Sequence, residues 1–128
     1  MVEPMVFDVK ELAKDNTFFR RVVFTGSKSQ LVVMSLRPGE EIGLEAHDVD
    51  QLLFVVKGEG QAVIDGTTSA LEKGTMICVP AGARHNVINT GDESMKLFTV
   101  YAPPHHAPGT IHATKLDAVA AEMERVPA

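Results

Sequence analysis

The chain has 128 residues, 45% of them apolar and 23% charged, with a formal net charge of −5. Such a length reads as one domain over residues 1–128, big enough for a hydrophobic core without disulfide or metal staples and too apolar for disorder. No run of lysine or arginine is long enough to track a phosphate backbone, and tryptophan is absent, which argues against a nucleic-acid partner.

The single cysteine, Cys78, rules out an internal disulfide and fits a reducing compartment. The first ten residues carry acids and a proline where a signal peptide needs basic residues ahead of an apolar run. The longest apolar stretch, residues 52–56, is too short to cross a membrane. A cytoplasmic protein with no membrane partner is expected.

In chain order, Asp8 and Glu11 have capping-box spacing, and Val9, Leu12 and Ala13 share one helical face. A short helix is predicted there. Strands are predicted over residues 18–25, 30–36, 52–56, 61–65, 75–79, 86–90 and 95–101. Turn residues separate them, among them Pro38-Gly39, Asp65-Gly66, Lys73-Gly74 and Ala81-Gly82. Many short strands with closely spaced turns indicate a sandwich or closed barrel. Residues 102–112, rich in proline, read as an irregular crossing segment. A last helix, about 115–124, starts after Thr114 with Asp117 at its capping-box position. Its Leu116, Val119, Ala120 and Met123 form an apolar stripe expected to pack on the sheet. Cys78, in an apolar strand, is expected to be buried.

Two stretches carry the chemistry. In the first, Glu45 and His47 are two apart, so on a strand both side chains point to one face. Gln51 opens the next apolar strand, from which it can turn back toward that face. In the second, a strand ends at Pro80, a tight turn uses Gly82, and His85 starts the following strand.

This spacing resembles the cupin superfamily, whose motifs can be written G-x5-H-x-H-x3or4-E-x6-G and G-x5-P-x-G-x2-H-x3-N. The second is met in full over residues 74–89, at Gly74, Pro80, Gly82, His85 and Asn89. The first spans residues 39–58, with Gly39, His47 and Gly58 in register. Glu45 stands where the family has its first histidine, and Gln51 where it has its glutamate. The resemblance implies an all-β jelly-roll barrel with short N-terminal and C-terminal helices, like small single-domain bacterial cupins, including those described as phosphomannose-isomerase-like.

It also implies that Glu45, His47, Gln51 and His85 converge inside the barrel around a divalent metal ion. Two imidazoles, a carboxylate and an amide oxygen suit Zn, Mn, Fe or Ni. Glu45 has two functional readings, as a ligand or as a catalytic general base with a pKa raised by burial, beside a third in which it is a rim carboxylate without a role. Gln51 is open between ligand and hydrogen-bonding partner. Asn89 and the motif glycines read as structural. Arg37, Arg84 and Tyr101 are potential polar groups of the pocket. His105, His106 and His112 read as surface histidines of the crossing loop or a subunit contact, in preference to ligands on a lid.

Cupins host many reactions, so the fold names none. The expected function is a metal-dependent enzyme of isomerase or tautomerase type, acting on a small polar metabolite such as a sugar or keto acid. An iron-dependent dioxygenase and a non-enzymatic small-molecule binder are the alternatives. A homodimer is expected.

Overall fold

A computed structural model describes residues 2–125. Helix α1, Val9–Asp15, starts as the spacing requires, with the Asp8 carboxylate accepting from the Glu11 amide at 3.0 Å. It ends at Asn16, whose side-chain amide bonds both backbone groups of Phe18 and so turns the chain into the first strand.

The strands are β1 Arg20–Thr25, β2 Gln30–Leu36, β3 Asp50–Lys57, β4 Gly60–Ile64, β5 Thr67–Leu71, β6 Met76–Val79, β7 His85–Asn89, β8 Met95–Ala102 and β9 Ile111–His112. They form a six-stranded antiparallel sheet in the order β6-β3-β8-β2-β1-β9 and a three-stranded one in the order β5-β4-β7. This is the mostly-β, jelly-roll arrangement expected.

Two strands escape the sequence reading. β5 is mostly exposed and polar, so it lacks the alternation that marks a half-buried strand, although the Asp65-Gly66 turn before it is recognisable. Both turn residues have positive φ, the conformation of a tight hairpin, and Ile64 pairs with Thr67 across it. β9 lies inside the segment read as irregular; its two residues pair with Arg20 and Arg21 of β1.

The core follows strand parity. Val32, Met34 and Leu36 of β2, Leu53 and Val55 of β3, and Met95, Leu97 and Tyr101 of β8 face inward. They meet Ala62, Leu71 and Val87 of the small sheet, closing the barrel. The opposite face of the large sheet offers Val33, Val56, Phe54 and Phe98, and α1 covers it with Leu12 and Ala13.

The C-terminal helix α2, Lys115–Arg125, begins with the expected reciprocal cap: Asp117 N–H donates to Thr114 Oγ1, and Thr114 N–H to Asp117 Oδ2. Its expected packing is not found. Leu116 and Met123 are 76% and 71% exposed and Val119 is exposed, whereas Ala118 on another face is buried. The small Ala118 allows close approach to the barrel, and that contact, not the apolar stripe, sets the helix's rotation. Cys78 is also exposed, because β6 presents Met76 and Cys78 outward while Ile77 and Val79 fill the core.

Candidate metal centre

The segment between β2 and β3 lies antiparallel along β7 and is held there by backbone. Ile42 N–H donates to Val87 O, and Glu45 and His85 exchange both backbone bonds, at 2.9 and 2.8 Å. Further along, Gly82 N–H donates to His47 O at 2.7 Å. Between the bridges Glu41–Ile88 and Glu45–His85 the outer segment carries one residue more than β7, a bulge. Gly43 sits in it at φ 109°, where a side chain would be strained, and its N–H donates to Asn86 Oδ1. The bulge sets the register that places Glu45 directly opposite His85.

Glu45, His47 and His85 therefore present three donor atoms within 4.8 Å of one another. Glu45 Oε2 lies 3.4 Å from His47 Nε2, and the two imidazole rings meet edge-on at 5.4 Å. His85 Nδ1 is 3.0 Å from Ala83 O. A carbonyl only accepts, so Nδ1 carries the proton and the lone pair of a neutral ring resides on Nε2. That is the orientation a metal-ligating histidine adopts.

Burial alone would raise the Glu45 carboxyl, but His47, Arg20 and His85 outweigh it and hold Glu45 below the ordinary carboxylate value. The raised pKa expected for a catalytic base is thus corrected: the hydrogen bond with His47 and the electrostatics of its surroundings outweigh desolvation, and Glu45 is ionised at neutral pH.

Gln51 is 2% exposed and donates through Nε2 to Thr99 Oγ1 at 3.1 Å. It lies beside Tyr101 across the β3–β8 ladder, and the Tyr101 ring stands 6.1 Å from that of His47. Its Oε1 has no hydrogen-bond partner, nor does Nε2 of His85, and Nε2 of His47 has only its 3.4 Å contact with Glu45. Each such buried group costs roughly 1–3 kcal/mol. The Glu45 carboxylate and the two histidine nitrogens, within 4.8 Å of one another, fit a divalent cation that would be held by all three.

The surface reading of His105 and His106 does not hold. The chain leaving β8 folds back over the centre, and the His105 ring packs 4.1 Å from that of His47 and 5.4 Å from that of Tyr101. Buried Gln30 pins this strap: its Oε1 accepts from the amides of His105 and His106, and its Nε2 donates to His106 O. His106 Nε2 lies 3.4 Å from the Tyr101 hydroxyl. Burial, reinforced by the charge of Glu45, pushes the Tyr101 phenol well above its ordinary value, so it keeps its proton. His112 belongs to β9, away from the strap.

Of the polar groups considered for the pocket, only Tyr101 faces inward; Arg37 and Arg84 are exposed. The cation that does is Arg20, which the sequence reading passed over. Its signal is parity: in β1 it shares a face with the core residue Val22. Asn89 is fully buried and ties down backbone, as expected, through bonds with Leu36 O, Glu93 O and the Gly91 amide.

Residues 32–101, more than half of the chain, match the family described as Cupin domain. The chain belongs to the cupin family. This cupin is 44% identical to the protein YrkC of Bacillus subtilis over 94% of the chain and 68% of that protein. Its fold matches the crystal structure of BH2720 from Bacillus halodurans with a TM-score of 0.91 and 39% identity, covering 92% of this chain and 95% of that one. A polyketide synthase named CurC, from Streptomyces cyaneus, is 25% identical over 98% of the cupin and 88% of its own length.

Proposed function

We propose that this cupin is a metal-dependent enzyme that moves a proton on a small carbonyl compound, an isomerase or tautomerase in type. The observation that carries this reading is the lone pair of His85 Nε2, which converges with His47 Nε2 and an ionised Glu45 in a largely buried cluster. Glu45, His47 and His85 would hold the ion, with Gln51 Oε1 available as a weak fourth donor. A divalent cation supplies Lewis acidity there, polarising a carbonyl oxygen.

The remaining steps belong to the chain. Glu45 is ionised and, where it stands beside the ion instead of ligating it, is able to accept a proton. Tyr101 keeps its proton and offers a neutral donor on the same inner face. The strap through His105 and His106 packs on His47 and Tyr101, and the partial burial of the centre strengthens electrostatic contacts within it. The keto character of polyketide chemistry, in the name of the Streptomyces cyaneus relative, supports a carbonyl substrate.

Elemental analysis of untagged protein, before and after chelation, tests the reading. About one equivalent of a transition metal is expected, as a single site requires. Enolisable carbonyl compounds should then exchange their α-protons with deuterated solvent, dependent on metal and on Glu45. Full chelation without effect on ligand binding or exchange would favour a metal-free binding protein, and oxygen uptake with iron alone would favour a dioxygenase.

A further inference from the structure

We propose that Arg20 anchors the carboxylate of a small organic acid whose other end reaches Glu45, His47 and His85. This deepens the reading above to a keto acid, and rests on it for the metal-facing end of the ligand and for the cation's share of the interior charge.

Among the described residues, Arg20 is the one lysine, arginine, aspartate or glutamate that is buried, at 3% exposure. It projects from the inner face of β1, opposite the fully buried Met34. Its guanidinium packs 5.3 Å from the Phe19 ring, and Nη1 lies 3.3 Å from His112 Nδ1. A guanidinium only donates, so His112 Nδ1 accepts there and supplies no counter-charge through that bond. Its Nε has no partner at all.

A desolvated charge costs several kcal/mol unless it is paired and hydrogen-bonded. Glu45 is within range of this charge, but its carboxylate sits 3.4 Å from His47 and close to His85. With a divalent cation held by those three residues, the interior carries positive charge in excess, which a monoanionic ligand would offset. The free Nε edge of a planar guanidinium suits a carboxylate. A phosphate would call for further cations, and no lysine or other arginine among the described residues is buried.

The test titrates pyruvate, succinate and the neutral isostere pyruvamide into wild type and Arg20→Gln, each metal-free and zinc-loaded, by calorimetry. Zinc content is measured on the same samples. Pyruvate or succinate should bind wild type roughly ten- to a hundredfold more tightly than Arg20→Gln, while pyruvamide should not distinguish the two. Should Arg20→Gln fail to fold, the Nε–H resonance of Arg20 in wild type replaces it, shifting with pyruvate or succinate and not with pyruvamide. Equal anion affinity in both proteins, or no anion binding to folded wild type in either state, overturns the assignment even if zinc binds. Arg20-dependent anion binding to a protein that takes up no zinc upholds the anchor and sinks the metal reading instead.

Discussion

The bond from His85 Nδ1 to Ala83 O fixes one proton and leaves the opposite nitrogen aimed at His47 and Glu45. His47→Ala and His85→Ala should each lose the metal, read as stoichiometry after reloading and buffer exchange. His105→Ala should keep it, since His105 packs on His47 without joining the cluster of three. Gln51→Leu should weaken metal binding only modestly, roughly ten- to a hundredfold at most, as for an outer partner. Glu45 also gives a pH prediction. Its carboxyl is lowered in the folded state, so the stability its charge contributes is full above the ordinary 4.5 and is lost as pH falls through the lowered value. Urea midpoints of metal-free wild type and Glu45→Gln should therefore draw together on acidification through that range. A gap that widens instead would contradict the sign.

At the scale of elements, the strap and the β3–β4 turn are held by a few contacts each. Gln30 is fully buried and spends three hydrogen bonds on residues 105 and 106. Gln30→Leu should cost about 1–3 kcal/mol for the polar groups it strands. It should also speed hydrogen exchange at the His105 and His106 amides more than in β2 and β8. Unchanged exchange in the strap would show that other contacts hold it. Gly60 is a packing requirement: a Cβ there would collide with the Ile88 carbonyl and the Met95 methyl group. Gly60→Ala should destabilise by roughly 1–3 kcal/mol, because backbone cannot yield as a side chain can. Denaturant midpoints measure it, with Gly66→Ala as a contrast in which strain comes from φ 84° alone.

On the scale of the whole molecule, exposed apolar residues include those of α2, the N-terminal Val2, Met5, Val6 and Phe7, and the outer face of the β3–β6 edge with Leu52, Met76 and Cys78. In dilute solution Cys78 should react with a thiol reagent without unfolding. The expected homodimer is read by sedimentation, and a concentration-dependent loss of Cys78 reactivity would place this edge in the interface. Among the described residues no helix is long and apolar enough to cross a membrane. Much of the molecule was legible in the chain itself. Hydrophobic alternation and turn residues depend on neighbours in sequence, so seven of the strands, both helix caps and the motif register could be read there. β5 could not, because an exposed polar edge strand has no periodic signal. The rotation of α2, the outward Cys78, the strap of His105 over His47 and the inward Arg20 were decided only by the tertiary structure. Each depends on which surfaces meet across the barrel, as does the sign of the Glu45 shift, where desolvation competes with His47, Arg20 and His85 through space.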